Sequence, residues 1–157
     1  MRQGKMGTRF EGQTQEAGIT SELRASSHRA QSMISILLID DDSSLLKAVS
    51  GMLQLWVRNV SVKTCHSGLE ALGYLEANQC HAVVTDISMP GIDGLMLLRR
   101  VKRQWPDISV VLMTGNHDPA LASRALSEGA AGFILKPFAR EDFVEAIQRV
   151  LDHQKIG

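Results

Sequence analysis

The fold of this chain is decided by residues 81–94, which read His81-Ala82-Val83-Val84-Thr85-Asp86-Ile87-Ser88-Met89-Pro90-Gly91-Ile92-Asp93-Gly94. The apolar run from Ala82 to Val84 is typical of a strand that is buried on both faces, as in a parallel sheet. The run ends on a carboxylate, Asp86, and the chain then breaks at Pro90 and Gly91. Ligands bind beyond the carboxyl ends of the strands in open α/β sheets, so the pattern predicts that Asp86 lies at the edge of a crevice. In the alternative interpretation, Asp86 only caps the turn that follows it.

Four further apolar runs flank this strand, and amphipathic stretches separate them. The predicted strands cover residues 36–39, 60–64, 108–113 and 133–135, and helical spacing follows each strand. Five strands that alternate with five helices predict a parallel sheet with helices on both faces. The first strand is apolar throughout and the second alternates, so the first is central and the second lies at an edge. This favours a flavodoxin-like α/β fold, a doubly wound (βα)5 three-layer sandwich with strand order 2-1-3-4-5.

The helices carry recognisable start signals. Ser67 and Glu70 have the spacing of a capping box, Asp93 can cap the third helix, and Asp118 precedes a proline at the first helical position. The second helix is predicted to bury three leucines, Leu69, Leu72 and Leu75. The fourth helix, over 120–128, offers mainly two leucines and two alanines (Leu121, Ala122, Ala125 and Leu126), and this light anchoring favours a helix that can shift at little cost.

The charge balance argues against several classes of partner. The 157 residues contain 17 basic and 17 acidic side chains; five and three of these fall in 1–33, which leaves twelve and fourteen in 34–157. A mildly acidic folded part argues against a direct nucleic-acid partner. No apolar run approaches the ~18 residues needed to span a bilayer, so no membrane partner is predicted. One basic run near the end of the third helix suits the helix dipole and is predicted to be a solvated face: Arg99, Arg100, Lys102 and Arg103.

The chain divides into a tail and one domain. Residues 1–33 hold few large apolar side chains and are predicted to be a disordered N-terminal extension, although a short helix over 21–25 fits the local pattern. Residues 34–153 form the predicted domain, and 154–157 its C-terminal end. Cys65 and Cys80 fall at opposite rims of the predicted sheet, too far apart for a disulfide, and reduced thiols favour a cytoplasmic protein.

Polar residues follow four of the five strands and should meet at one edge of the sheet. They are Asp40-Asp41, Asp86, Thr114 and Lys136. Three neighbouring carboxylates repel one another unless a cation lies among them, and an all-oxygen ligand set suits Mg²⁺. A magnesium ion, a lysine and a donor hydroxyl around a carboxylate can receive a phosphoryl group, with Asp86 as the nucleophile.

This set of motifs resembles the receiver domains of two-component response regulators. The resemblance is carried by Ile39-Asp40-Asp41-Asp42, by residues 86–94, by Met113-Thr114-Gly115 and by Lys136-Pro137-Phe138. It implies that Asp86 is the phosphorylated aspartate and that Asp40, Asp41, Asp86 and the main-chain carbonyl of Ser88 hold Mg²⁺. It further implies that Thr114 and Lys136 bind phosphoryl oxygens, and that Phe133 turns inward when Thr114 moves. Asp42 is expected to cap the first helix, and the Lys136-Pro137 bond is often cis in this family.

The resemblance implies a binding protein rather than an enzyme. We expect a single-domain response regulator that takes a phosphoryl group from a sensor histidine kinase or a histidine phosphotransfer protein. It would signal to a downstream effector protein, and the family also allows a phosphorylation-dependent homodimer. The alternatives are a phosphorylation-independent binding module, a receiver fragment of a longer regulator or hybrid kinase, and a Mg²⁺-dependent phosphatase. Ser88 argues against the phosphatase, because similar phosphatases place a second aspartate there as general acid and base.

Overall fold

The computed structural model describes residues 33–156, so the predictions for the N-terminal segment lie outside the described residues. Five strands form one parallel sheet in the order β2-β1-β3-β4-β5. They are β1 (Ile34–Ile39), β2 (Val60–Cys65), β3 (Ala82–Asp86), β4 (Ser109–Thr114) and β5 (Gly132–Leu135). Five helices alternate with them: α1 (Ser43–Trp56), α2 (Gly68–Ala77), α3 (Gly94–Gln104), α4 (Pro119–Ser127) and α5 (Arg140–Ile156). The predicted fold class and strand order are confirmed.

Two apolar clusters fill the two faces of the sheet. The first packs α2, α3 and α4 against one face and includes Leu72, Leu98 and Ala125. The second packs α1 and α5 against the other face and includes Leu53 and Phe143. Alternate residues of the central strands supply both clusters, which explains why those strands are apolar throughout. Because β2 pairs only with β1, its polar alternation marks a sheet edge, as predicted.

Aspartate and serine side chains cap the first four helices at the predicted positions. Asp42 accepts from the amides of Ser44 and Leu45, Ser67 from Glu70, and Asp93 from Met96. Asp118 accepts from the amide of Ala120, and Pro119 occupies the first turn of α4. These bonds satisfy amides that have no partner within the helix. They also fix where each helix leaves the carboxyl edge of the sheet.

The predicted apolar face of α2 is wrong at Leu69, which is 73% exposed. The buried face is made of Gly68, Ala71, Leu72 and Leu75, and its spacing of 3, 4 and 7 residues is that of one helix stripe. Leu69 lies about one residue, or roughly 100°, away from that stripe. Leu126 of α4 is likewise exposed, and Ala125 is the one residue of α4 that is fully buried.

The remaining fold predictions concern the cysteines and membrane spans. Cys65 and Cys80 are both free, as predicted, and burial raises the pKa of Cys65 to about 11. The thiol of Cys65 therefore stays protonated at neutral pH. Within residues 33–156, none of the helices combines the length and apolar character that crossing a membrane requires.

Candidate functional site

Three carboxylates converge at the carboxyl edge of the sheet. Asp40 and Asp41 follow β1 and Asp86 ends β3, the strand beside it. One carboxylate oxygen of each residue lies within 4.8 Å of the others. Asp40 and Asp86 are buried, whereas Asp41 is exposed. The predicted acidic cluster thus exists in the structure, with two members withdrawn from solvent and one facing it.

Lys136 reaches this cluster from the end of β5. Its Nζ atom lies 2.8 Å from Oδ2 of Asp40 and 3.4 Å from Oδ1 of Asp86. The Lys136 amide donates to the Thr114 carbonyl at 2.7 Å, and the Lys136-Pro137 peptide is cis. Lys136 is therefore held by two carboxylates of the cluster.

Burial and neighbouring charges both affect the Asp86 carboxylate. Burial raises the pKa of Asp86, and the charge of Asp40 adds to that increase. The ammonium group of Lys136 and the backbone amide of Ser88 oppose it. Ser88 itself is exposed and lies two residues after Asp86. The ligand role predicted for its main-chain carbonyl stays a prediction.

Thr114 ends β4 beside the cluster. Its preceding residue, Met113, pairs with Asp86 in the sheet, and Thr114 is buried. The Thr114 hydroxyl oxygen accepts from the amide of Asn116 at 3.0 Å. This bond uses an oxygen lone pair and leaves the hydroxyl proton for a donor bond, as a phosphoryl oxygen would need.

Phe133 and His117 occupy the surroundings of Thr114 and Lys136. Phe133 is half-buried on β5, where it pairs with Leu112 and packs against the first apolar cluster. The switch motion predicted for Phe133 stays a prediction. His117 is exposed and its Nε2 lies 3.2 Å from the Lys136 carbonyl, so its ring links the loop after β4 to the loop after β5.

Gly94 supports the cluster from behind and was not predicted to do so. A Cβ atom at this position would overlap the Asp86 carbonyl oxygen and lie 2.7 Å from the Cα of Ile87. The Gly94 amide also donates to the Ile87 carbonyl at 2.9 Å. In the sequence, the Asp93-Gly94 pair indicated only a helix start. The close approach of α3 to the end of β3 becomes visible only in three dimensions.

The donor set fits a hard divalent cation. Carboxylate oxygens with room for water are the ligands that Mg²⁺ prefers, and Asp40, Asp41 and Asp86 supply them. Such an ion would neutralise negative charge on the carboxylates and on a bound phosphoryl group. Because Lys136 already contacts Asp40 and Asp86, the cluster is partly neutralised by the chain itself.

The comparison with protein families places this site in a known context. The family model described as "Response regulator receiver domain" matches residues 36–148. The chain belongs to the response regulator receiver family. The receiver match covers every strand except the start of β1 and includes all the predicted site residues.

Individual relatives are regulators and receiver domains. The receiver is 38% identical over 122 residues to the C4-dicarboxylate transport transcriptional regulatory protein DctD of Rhizobium meliloti, and 34% identical over 120 residues to the DNA-binding transcriptional regulator NtrC of Klebsiella pneumoniae. These alignments cover 78% and 74% of this chain, but only 26% and 24% of the relatives. The chain therefore spans about a quarter of their length. A crystal structure of a response regulator receiver domain protein from Clostridium thermocellum is similar with a TM-score of 0.72 and 32% identity, over 79% of this chain and 98% of that one.

Proposed function

We propose that this receiver accepts a phosphoryl group on Asp86 in a Mg²⁺-dependent step and signals through phosphorylation-controlled protein binding. The donor is a phosphohistidine of a sensor histidine kinase or of a histidine phosphotransfer protein. The protein is a phosphoacceptor rather than a turnover enzyme, and we assign its action to the cytoplasm. The observation that carries the proposal is the convergence of three carboxylates within 4.8 Å with Lys136 in contact with two of them.

The roles of the side chains follow from their chemistry. An oxygen of Asp86 attacks phosphorus while the bond from phosphorus to the histidine nitrogen breaks, and that nitrogen leaves with the electron pair. The Lys136 ammonium and the Thr114 hydroxyl donate to the phosphoryl oxygens. Asp40 and Asp41, with the Ser88 carbonyl, would hold the magnesium ion, which lowers the electrostatic cost of bringing a phosphoryl group to a carboxylate.

The experiment is phosphorylation of the full chain by acetyl phosphate in MgCl2, measured by intact-mass spectrometry. Wild type should gain one phosphoryl group, and the gain should be lost in EDTA and in Asp86→Asn. Asp152→Asn is the matched control, since Asp152 is an exposed carboxylate of α5. Equal labelling of wild type and Asp86→Asn would refute the assignment, and labelling that is indifferent to EDTA would refute the metal requirement.

A second candidate concerns the size of the functional unit. The sequence predicts a single-domain regulator, whereas an alignment to only 26% of DctD favours a receiver that works within a longer transcriptional regulator. The phosphoacceptor chemistry is the same in both cases. Sequencing of the genomic locus around this chain distinguishes them, because a downstream effector domain in frame would support the second.

A constitutive binding module and a phosphatase are the two remaining alternatives. The intact set of Asp86, Thr114 and Lys136 argues against the first, and partner affinity that ignores phosphorylation would support it. Ser88 argues against the second, because a serine hydroxyl is a poor general acid and base at neutral pH. Repeated turnover of a small phosphoester would support it.

A further inference from the structure

A groove between α2 and α3 lies outside the carboxylate cluster and combines apolar with basic residues. Its volume is about 240 Å³ and its lining is Leu72, Ile92, Met96, Arg99, Arg100 and Arg103. Pockets for small molecules typically measure about 300–1,000 Å³. The groove is smaller than that range, so it suits individual side chains of a macromolecular partner.

The apolar part of the groove is exposed at Met96, whereas Ile92 is half-buried and Leu72 is buried. Met96 on α3 is 47% exposed, and Leu69, three residues before Leu72 on α2, is 73% exposed. Leu69 lies roughly 100° away from the stripe of α2 that contains Leu72, so it is a separate exposed leucine and not part of the groove lining. Gly68 allows Ile92 to contact α2, because a Cβ atom there would lie 2.8–2.9 Å from atoms of Ile92. An apolar patch with a charged rim is typical of an interaction surface.

The basic part is a single stripe of α3. Met96, Arg99, Arg100 and Arg103 are spaced by 3, 4 and 7 residues and therefore share one helix face. All three arginines are exposed. Among residues 33–156, Arg100 and Arg103 form no ion pair, so their charges are available to a ligand.

Arg99 already binds a carboxylate. Its Nε and Nη2 atoms donate to the two oxygens of Glu128 at 3.0 and 3.1 Å. This bidentate geometry is the one by which arginine recognises carboxylates. Glu128 follows the last turn of α4 and holds Arg99 from the side of that helix. One arginine of the stripe therefore already pairs with a carboxylate of the chain itself, that of Glu128.

We propose that this groove docks an acidic amphipathic helix of a partner protein. The partner's apolar stripe would contact Ile92 and Met96, and its carboxylates would pair with Arg100 and Arg103, as in helix-in-groove recognition. Glu128 competes with the partner for Arg99. Residues 1–33 do not complement the stripe, since they carry five basic and three acidic side chains. The docking surface shares no residue with the phosphoryl-transfer site proposed at Asp86.

The test uses the full chain without a phosphodonor and a fluorescent synthetic helix as probe. The peptide carries leucines at i and i+4 flanked by glutamates, and a control peptide replaces each glutamate with lysine. Anisotropy should detect the glutamate peptide only. The double variant Arg100→Ala/Arg103→Ala should weaken binding by about tenfold or more, since it removes two charge pairs. Glu128→Gln should strengthen binding because Arg99 becomes free.

Matched controls separate this proposal from the phosphoacceptor function. Arg149→Ala removes an exposed arginine of α5 that pairs with Glu145, and it should leave binding unchanged. Asp86→Asn should also bind like wild type, so a failed phosphorylation experiment does not affect this result. Equal binding of the lysine peptide, unchanged affinity of the double variant, or tighter binding of a fluorescent duplex DNA would overturn the proposal. Unchanged affinity in Glu128→Gln would overturn the competition by Glu128.

Discussion

Replacement of Lys136 with methionine tests whether the chain's own cation holds the carboxylate cluster together. The substitution keeps an unbranched apolar side chain and removes the charge that lies 2.8 Å from Asp40 and 3.4 Å from Asp86. Breaking a buried ion pair costs about 3–5 kcal/mol because the remaining charge is left without a partner. The Asp40 side chain is only 2% exposed, but that of Lys136 is 23% exposed. Solvent screens the lysine, so we expect a loss of about 2–3 kcal/mol.

The assay is urea denaturation at neutral pH, first in EDTA and then in MgCl2. With a typical urea dependence, the expected loss lowers the midpoint by about 1–2 M in EDTA. In MgCl2 the loss should be smaller, since a bound divalent cation offsets the repulsion that Lys136 no longer offsets. Lys47→Met, at an exposed position of α1, should change the free energy of unfolding by no more than about 0.5 kcal/mol. If Lys136→Met unfolds at the same urea concentration as Lys47→Met, the electrostatic account of the site is wrong.

Three further predictions concern residues around the site and in the core. Burial raises the pKa of Asp86 above its ordinary 3.8. Between pH 3.8 and the raised pKa, the folded state binds more protons than the unfolded state. Wild-type stability therefore falls as the pH rises through this range. Asp86→Asn should therefore be more stable than wild type at neutral pH in EDTA, by a margin in urea denaturation that shrinks as the pH falls towards 3.8; a margin that grows instead contradicts this. Gly94→Ala should lower the free energy of unfolding by about 1–3 kcal/mol, because the new Cβ atom overlaps the Asp86 backbone. Gly73→Ala has open space at its Cβ position and should raise the free energy of unfolding by up to about 1 kcal/mol through helix propensity. Equal thermal midpoints of the two variants would refute the overlap. Leu98→Ala should lower the free energy of unfolding by about 2–5 kcal/mol because Leu98 is fully buried. Leu69→Ala should lower it by at most about 0.5 kcal/mol. A similar loss at both positions would mean that Leu69 is not solvent-exposed.

The convergence of the site could be predicted because it depends on topology. Asp40, Asp86 and Lys136 each follow a strand, and the carboxyl ends of parallel strands meet at one edge of the sheet. The order of the strands could also be inferred, since the alternation of β2 distinguishes an edge from a centre. Pairings within the site could not be inferred. The sequence predicts Lys136 near three carboxylates, but only the structure shows that it lies nearer to Asp40 than to Asp86.

The wrong prediction for the buried face of α2 has a physical cause. Three leucines suggested the buried face of α2, yet Gly68 and Ala71 occupy part of that face. Small residues carry little hydrophobic signal, but they are favoured where a helix approaches its neighbour closely, as Gly68 does beside Ile92. The basic run near the end of α3 suggested a solvated face, and its three arginines are indeed exposed. The ion pair between Arg99 and Glu128 depends on the relative phase of α3 and the end of α4, which the sequence does not encode locally.

Rigid and weakly held parts of the receiver meet at Thr114. The strand β4 that carries it is fully buried at Val110, Val111 and Leu112, so the sheet should resist deformation. Beyond Thr114, three side chains in succession accept from the backbone amide two residues ahead: Thr114 from Asn116, Asn116 from Asp118 and Asp118 from Ala120. This series connects the Thr114 hydroxyl to the first turn of α4, the helix with one fully buried anchor. A displacement of the hydroxyl towards a phosphoryl group should therefore move α4 before it deforms the sheet, because the helix is the element that costs least to shift.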